Sequence, residues 1–360
     1  MNADGAGRVA VIGAGIGGLS AAIELAAAGR PVDVYERGSG PGGKAGTERL
    51  GDYRFDTGPS LLTMPWVFEH LFERAGVRMA DRLDVRPLSV ICRYFWRDGL
   101  RFDAPAGPER FVEAAAPTFE EPEPHVRELF DRAKRIYEIT AHLFLEKSLH
   151  EWSTVFSDGF FRSLLQVVRI DSMRTLHEAN AATFDDPRLV QLFDRYATYN
   201  GSSPFRTPGT MAIIPDVEYR GGGYALGGGI YSLPKALEQL ARELGVRIFY
   251  GTPVDRILTD AATRRVRGAE AAGERFDYDV VVSNVDVSVT YPDLLEDEEA
   301  RAYRRYRGLE PSSSGFVFYW GMKEGFDELE LHNIFFSDDY RREFEERSEE
   351  HTSELQSLLI

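Results

Sequence analysis

The sequence predicts an α/β protein organised around a parallel sheet, because a strand, a helix and a second strand follow one another near its start. Val9 to Ile12 form a short apolar run of the kind found in buried parallel strands. An alanine-rich run from Leu19 to Ala28 has the composition of a helix, and Gly29 suits the position just after its end. Val32 to Tyr35 supply the second strand.

The turn between the first strand and the helix carries the glycine spacing of a dinucleotide-binding unit. Gly13 permits the tight turn, Gly15 lets a pyrophosphate approach the backbone, and Gly18 lets helix and strand pack closely. The start of the helix offers free N–H groups and its positive dipole end. Glu36 follows the second strand and can accept hydrogen bonds from a ribose diol, whereas it would repel the 2′-phosphate of NADP. The predicted fold is therefore Rossmann-like.

Length and charge limit the classes of function. A chain of 360 residues, 43% hydrophobic and 28% charged, is long enough for two domains or for one domain with a large insertion. The net charge of −16 argues against nucleic acid as a partner and against electrostatic docking on anionic lipid. Any membrane contact would therefore have to be apolar.

Cysteine usage and the N-terminus predict a cytoplasmic location. Cys92 is the only cysteine, so no internal disulfide can form, as is usual in a reducing cytosol. The first residues lack the basic and apolar regions of a signal peptide, and no apolar run approaches the roughly 18 residues of a spanning helix. The seven histidines show no metal-ligand spacing, so no metal site is expected.

A second glycine-rich loop follows the acidic residue. Gly42 and Gly43 precede Lys44, an order that suits a backbone folding over a phosphate or ribitol with a cation nearby. A flexible surface turn is the alternative, and it fits residues 38–41 better than the double glycine. Further on, Phe55 to Ser60 end a predicted strand in a loop.

The chain resembles the bacterial phytoene desaturase family of carotenoid desaturases in three motifs, GAGIGGL, YERGSGPGGKAGT and FDTGPSLLTMPWVFEHLF. The likeness runs from about Arg8 to Glu346, and the third motif is the most specific. It implies an FAD-dependent oxidoreductase that desaturates a polyene such as phytoene or a 1-hydroxycarotenoid. The implied partners are a hydrophobic carotenoid substrate and, as electron acceptor, oxygen or a quinone.

The predicted cofactor-binding residues come from the two glycine loops, the following acid and the resemblance. They are Gly13, Gly15, Gly18, Glu36, Arg37, Gly42, Gly43, Lys44, Asp56, Thr57, Gly58, Pro59 and Val254. The resemblance implies that Val254 contacts adenine through its backbone. No motif identifies a catalytic residue.

The resemblance also predicts a domain division. Residues 8–85 and 220–300 are expected to bind FAD, and residues 86–219 and 301–346 to form an inserted α+β substrate domain. Residues 347–360 resemble a translated sequencing adapter, so the C-terminal part of the family fold, with its second flavin segment, is expected to be missing.

Periodicity predicts the elements between these loops. A hairpin is expected from Val90 to Asp103, turning at Asp98-Gly99, followed by helices at Phe111 to Ala116 and Val126 to Ser148. Pro234 and Gly245 mark the two ends of a later helix. The remaining strands are predicted at Val246–Tyr250, Val254–Leu258, Val266–Ala269, Phe276–Ser283, Ser314–Met322 and His332–Ser337.

One amphipathic segment bears on membrane contact. Six apolar residues share a helical face beside Trp152, namely Phe156, Phe160, Phe161, Leu164, Leu165 and Val168. A peripheral entrance for a lipid substrate is one interpretation, and an ordinary core-facing helix is the other.

Two further segments have competing interpretations. Arg195 begins the stretch RYATYNGSSP, which resembles the branch of the family acting on 1-hydroxycarotenoids, and Asp194 directly precedes it. The two residues are interpreted as a charged pair near the site or as a solvated helix face. Gly221 to Ile230 allow close approach of the backbone to a ligand, or form a connector. For the whole chain, the alternatives are another amine-oxidase-like flavoenzyme and a non-catalytic FAD-binding fragment.

Overall fold

The structure, a computed structural model, describes residues 7–144, 171–309, 312 and 315–349. This part of the chain mixes strands and helices, which confirms the predicted α/β class. The strands are β1 (Val9–Ile12), β2 (Val32–Tyr35), β3 (Thr47–Leu50), β4 (Tyr53–Asp56), β5 (Val85–Pro87), β6 (Val90–Phe95), β7 (Arg101–Pro105), β8 (Tyr224–Leu226), β9 (Arg247–Phe249), β10 (Val254–Thr259), β11 (Val266–Ala271), β12 (Glu274–Asp277), β13 (Val280–Ser283) and β14 (Asn333–Phe335).

The helices lie between groups of these strands. They are α1 (Ile16–Ala27), α2 (Pro65–Arg74), α3 (Pro108–Thr118), α4 (Glu123–Phe144), α5 (Leu176–Ala181), α6 (Pro187–Asp194), α7 (Ile213–Tyr219), α8 (Ser232–Glu243), α9 (Val287–Val289), α10 (Arg301–Tyr306) and α11 (Tyr340–Glu349). A 3₁₀ helix, Arg195–Asn200, continues directly from α6.

The chain divides into two compact units. The first comprises Met1–Arg86 and Tyr224–Glu310, and the second comprises Pro87–Gly223 and Pro311–Ile360. The assignment of cofactor to the first unit and substrate to the second stays a prediction.

A four-stranded parallel sheet in the order β13-β1-β2-β9 forms the centre of the first unit. Every residue of β1 and β2 is buried, which explains the apolar sequence of β1. Helix α1 connects these two strands and contributes Leu19 and Ile23 to the same core. The carboxyl ends of β1, β2 and β13 meet at one edge of the sheet, where ligands bind in folds of this kind.

Asp33, in the middle of β2, is a buried acid that is 3% exposed. Its carboxylate accepts hydrogen bonds from Arg247 Nε and Nη2, both at 2.6 Å, from Tyr278 Oη at 2.7 Å and from Arg8 Nη2 at 3.0 Å. Burial alone would raise the pKa of Asp33, but the hydrogen bonds from Arg247, Tyr278 and Arg8 outweigh it and leave the pKa lowered. The network ties β2 to β9 and to the chain between β12 and β13.

We expect Asp33→Asn to reduce the free energy of unfolding by roughly 2–3 kcal/mol at pH 7, because charge-assisted hydrogen bonds to a buried group are lost. A lowered pKa in the folded state stabilises the fold above the ordinary value of 3.8, and this stabilisation is lost as the pH falls through the lower folded pKa. In urea unfolding, the difference in the free energy of unfolding between the parent protein and Asp33→Asn should therefore shrink as the pH falls below that ordinary value. Asp52→Asn, in the exposed turn between β3 and β4, is the control. A deficit equally large at low pH would contradict this account.

The second unit contains a three-stranded sheet in the order β14-β6-β7. Strands β6 and β7 form the predicted hairpin, and β14 pairs with β6 in parallel. An aromatic core lies beside them, in which the Phe111 ring is 5.3 Å from Phe102, 5.4 Å from Phe130 and 4.8 Å from Tyr219. Such edge-on packing gives the unit a core of its own.

Two predicted strands differ from the structure. The stretch Phe276–Ser283 is divided into β12, in an antiparallel sheet with β10 and β11, and β13, in the parallel sheet. The chain changes sheets at Tyr278, whose hydroxyl bonds to Asp33. The strand predicted at Ser314–Met322 is wrong for residues 315–322, because the described chain places no neighbouring strand beside them.

Some predictions fall on residues 145–170. The helix predicted from Val126 is present as α4, but the end of that prediction and the amphipathic segment around Phe160 lie outside the described residues. The two interpretations of that segment therefore stay open. Among the helices that the structure describes, none combines the length and the apolarity needed to cross a membrane.

Candidate nucleotide-binding site

The glycine turn after β1 is shaped by close contacts that exclude side chains. Gly13 has a φ of +97°, which favours glycine. A Cβ atom on Gly18 would lie 2.0 Å from the Gly13 carbonyl oxygen, and one on Gly17 would lie 2.5 Å from Asn284 Oδ1. Helix α1 begins at Ile16, directly after Gly15, and no side chain caps its first N–H groups. These groups are therefore suited to bind an anion.

Glu36, at the end of β2, lies beside this turn. Its Oε2 atom accepts a hydrogen bond of 2.7 Å from the Ala14 N–H, and its Oε1 atom accepts one of 2.7 Å from the Gly38 N–H. The strand order thus brings the predicted acid next to the predicted glycines. An ionised carboxylate has further lone pairs with which it can accept hydrogen bonds from a ribose diol.

The second glycine loop packs on the first. Gly42 forms a parallel bridge with Gly15, and its N–H donates to the Ala14 carbonyl at 2.8 Å. A Cβ atom on Gly43 would lie 3.3 Å from the Gly15 Cα atom, and the φ of Gly43 is +57°. Gly42 has a φ of +113°, and a Cβ atom on it would lie 2.6 Å from the Ala45 carbonyl oxygen. Local backbone contacts therefore favour glycine at both positions, which argues against a flexible turn at these two residues.

The turn after β4 completes this arrangement. A Cβ atom on Gly58 would lie 2.3 Å from the Lys44 carbonyl oxygen, and the Thr57 N–H donates to the Gly46 carbonyl at 3.0 Å. The backbones of Lys44, Thr57 and Gly58 therefore lie together, while the Lys44 side chain is exposed.

Asp56 is held by protein groups. Its carboxylate accepts hydrogen bonds from the Ile230 N–H at 2.8 Å and from Arg54 Nη1 at 2.9 Å. A Cβ atom on Gly229 would lie 2.1 Å from Asp56 Oδ2. The segment from Gly221 to Ile230, which was expected to bring its backbone close to a ligand, thus brings it close to Asp56. A role of Asp56 in binding a cofactor stays a prediction.

Three predicted residues make no described contact with the glycine turn. Arg37 and Pro59 are exposed, and Val254 begins β10, where it pairs with Ala271. Their roles stay predictions. Sequence reasoning missed Asn284, whose N–H donates to the Ile12 carbonyl at 2.9 Å and whose side chain covers the glycine turn. The apolar run Val280 to Val282, shortly before Asn284, is the feature of the sequence that could have indicated a strand ending near the glycine turn.

This geometry fits a dinucleotide. The turn at Gly15 and Gly18 provides backbone without side chains, the start of α1 provides N–H donors, and Glu36 provides a carboxylate at the next strand end. Pyrophosphate needs the first two features, and the ribose next to adenine needs the third.

A second polar cluster lies inside the second unit, around Arg195. The Arg195 guanidinium donates to Tyr94 Oη at 2.7 Å, to Tyr196 Oη at 3.1 Å and to Glu218 Oε1 at 3.2 Å. Tyr196 and Tyr199 also donate to the Glu218 carboxylate. Burial would lower the pKa of Arg195, but the surrounding tyrosines and Glu218 keep it raised, so the guanidinium stays charged.

Neither interpretation of Asp194 and Arg195 is right. The two residues are 1% and 7% exposed, so they do not form a solvated helix face. They also do not pair with each other, since Asp194 bonds to His177 and Asn180 while Arg195 bonds to Glu218. The two side chains are adjacent in sequence but have different hydrogen-bond partners, because α6 ends at Asp194 and the 3₁₀ helix begins at Arg195.

Glu121, His125 and Asp185 come close enough together to be compared with a metal site. The buried Glu121 carboxylate, however, already accepts hydrogen bonds from the Asp185 N–H at 3.0 Å and the Asp186 N–H at 2.9 Å, and His125 Nδ1 lies 2.7 Å from it. Glu121 therefore binds and stabilises the backbone that leads into α6.

These features define a dinucleotide-binding protein. The chain belongs to the flavin-containing amine oxidoreductase family, whose pattern matches residues 16–357. A flavin is therefore its cofactor.

Within that family, the chain belongs to the carotenoid desaturases and oxygenases. It is 40% identical over 338 residues to a 1-hydroxycarotenoid 3,4-desaturase of Flavobacterium sp. (strain P99-3), covering 94% of this chain and 68% of that protein. It is 34% identical over 350 residues to a 4,4'-diapolycopene oxygenase of Methylomonas sp, covering 96% and 69%. The family predicted from the three motifs is confirmed.

Solved structures support the fold. An oxidoreductase from Methanosarcina mazei superimposes with a TM-score of 0.55 at 20% identity, covering 84% of this chain and 65% of its own. The chain thus spans about two thirds of the length of the proteins that it matches.

Proposed function

We propose that this chain acts as an FAD-dependent carotenoid desaturase, which removes two hydrogens from adjacent carbons of a polyene such as phytoene or a 1-hydroxycarotenoid. The observation that carries the proposal is the 40% identity to a 1-hydroxycarotenoid 3,4-desaturase across 94% of the chain. The first unit would hold the cofactor and the second would hold the substrate.

FAD is the flavin that the site favours. The glycine turn and the start of α1 suit a pyrophosphate, and Glu36 suits the ribose of an adenosine. FMN has neither the pyrophosphate nor this ribose. When bound, the flavin supplies a hydride acceptor, which no side chain can replace. The chain's own residues bind and orient the nucleotide half.

The electron acceptor and the route of the substrate are also proposals. Oxygen or a quinone would take up the electrons after each turnover.

A peripheral membrane contact suits a lipid-soluble substrate, and it is supported by exposed apolar side chains in the second unit. These include Phe316, Val317, Trp320, Met322, Phe326 and Leu331. We expect the protein to co-sediment with neutral liposomes, and we expect this co-sedimentation to be lost when Phe316 and Trp320 are replaced by serine. Unchanged co-sedimentation would contradict the contact.

Oxygenation is a second candidate, because a 4,4'-diapolycopene oxygenase is also similar to the chain. The two reactions have different products. A desaturase lengthens the conjugated system and removes two hydrogens, whereas an oxygenase adds oxygen to the carbon skeleton.

The deciding experiment produces the chain in bacteria that accumulate phytoene or a 1-hydroxycarotenoid. We expect a red-shifted pigment whose mass is lower by two hydrogens, and a purified protein with flavin absorbance. The Glu36→Gln variant is the matched control, because it keeps the shape of the side chain and loses its charge, and it should retain less flavin.

Other outcomes point to the alternatives. A product that has gained oxygen favours oxygenation, and turnover of amines without any effect on carotenoids favours an amine-oxidase-like enzyme. Flavin binding without conversion of any substrate indicates a non-catalytic fragment. Each of these results overturns desaturation by this chain.

A further inference from the structure

A cleft in the second unit contains a polar arrangement that the nucleotide site does not use. It has a volume of about 540 Å³ and lies between α5, α6, the β6–β7 turn and the start of α11. Four aromatic side chains, Trp96, Phe184, Phe205 and Tyr340, contribute to its lining. A cleft of this size accepts a small organic molecule.

His177 stands at the wall of this cleft and is held by a buried acid. Its Nδ1 atom lies 2.6 Å from Asp194 Oδ2, and Asn180 Nδ2 donates to Asp194 Oδ1 at 2.9 Å. Both oxygens of Asp194 are thereby engaged, and the imidazole orientation is fixed. Among the described residues no partner is present for His177 Nε2, so this nitrogen is available to a ligand. An imidazole whose Nε2 carries the proton donates from it to an acceptor such as a carboxylate.

Arg341 provides a cation at the same place. Its guanidinium carbon lies 3.9 Å from the centre of the Phe205 ring, and the His177 ring centre lies 4.6 Å from the same ring. Phe205 therefore contacts both the Arg341 guanidinium and the His177 imidazole. Within the described chain, no carboxylate lies within ion-pair distance of Arg341.

The other two arginines of the cleft are already neutralised. Arg97 Nη1 lies 3.2 Å from Asp338 Oδ2, and Arg188 lies 2.9 Å from Asp98 and 2.6 Å from Asp186. Among the described arginines of the cleft, Arg341 is thus the one with no carboxylate within ion-pair distance. A guanidinium binds a carboxylate through two parallel hydrogen bonds.

The geometry points to a binding site for a small aromatic carboxylate in this cleft, with Arg341 and His177 on the carboxylate and the aromatic side chains around the ring. The carboxylate would supply a counter-ion for Arg341, and the flat ring would stack against Trp96. The inference does not depend on the proposed desaturase activity.

Calorimetric titration of the purified chain with benzoate and with benzamide tests the site. We expect benzoate to bind and benzamide, which has the same ring without the charge, to bind at least tenfold more weakly. Arg341→Gln should weaken benzoate about tenfold, as expected for the loss of one charge-assisted contact, and His177→Gln should weaken it less. Circular dichroism should show that both variants keep the fold.

Arg110→Gln is the matched control, because Arg110 is an exposed arginine on α3 that does not line the cleft. It should leave benzoate affinity unchanged. Absence of benzoate heat, equal affinity for benzoate and benzamide, or unchanged affinity in Arg341→Gln would each overturn the inference. Since the titration needs neither flavin nor a carotenoid, its failure is distinguishable from failure of the proposed activity.

Discussion

Replacing Gly18 with alanine should remove flavin from the purified protein. The added Cβ atom would lie 2.0 Å from the Gly13 carbonyl oxygen, far inside contact distance, and that atom belongs to backbone that cannot rotate away. Either α1 or the turn must shift, and the N–H groups at the start of α1 then no longer face the pyrophosphate. Overpacking of this kind costs about 1–3 kcal/mol. We expect flavin content to fall at least tenfold, as measured by absorbance of the released cofactor.

The control for this change is Gly308→Ala. Gly308 lies in the same unit, has no positive φ, and a Cβ atom there would meet no atom within 4 Å. Its flavin content should equal that of the parent. Circular dichroism separates loss of the site from loss of the fold. A folded Gly18→Ala protein that retains full flavin content would show that the close contact does not shape the site.

Replacing Glu218 with glutamine should destabilise the second unit strongly. The carboxylate is 1% exposed, and it is the counter-ion of Arg195, which is 7% exposed. Glutamine keeps the size of the side chain but leaves the guanidinium charged and unpaired. Removing one partner of a buried ion pair costs about 3–5 kcal/mol, and we expect the free energy of unfolding in urea to fall by that amount.

Two further variants test the cause. Replacing Arg195 and Glu218 together with methionine removes both charges, so it should recover part of the loss. Arg82→Gln breaks an exposed pair in which two hydrogen bonds of 2.8 Å join Arg82 to Glu243, and its effect should be much smaller. An effect of Glu218→Gln no larger than that of Arg82→Gln would show that the buried pair contributes little.

Much of the first unit could be predicted because its signals are local. The run Val9–Ile12, the glycine turn and the run Val32–Tyr35 each indicate a structure within a few residues, and the structure has β1, α1 and β2 there. The strand predicted at Ser314–Met322 failed for the opposite reason. Its apolar composition is that of a strand, but a strand needs a neighbour, and composition does not supply one.

The candidate site was predictable to the same extent. Gly13, Gly15, Gly18 and Glu36 follow a spacing that one βαβ unit dictates, and the structure brings them together. Asn284 could not be found this way, because it reaches the turn only through the pairing of β13 with β1. Arg195 was misjudged because periodicity assigns a helix face but does not show that Tyr94 and Glu218 lie there to receive a charge.

The strand order of the first unit has a consequence for biosynthesis. Arg8 and Asp279, which hydrogen-bond next to the paired ends of β1 and β13, are 271 residues apart. At about 5–20 residues per second, the ribosome needs roughly 15–50 s to cover that distance. During this time the edge of β1 that later pairs with β13 is open and can pair with other chains. Asn284 must also have left the ribosome before it can cover the glycine turn, so this turn is completed only after residues 1–284 have been made.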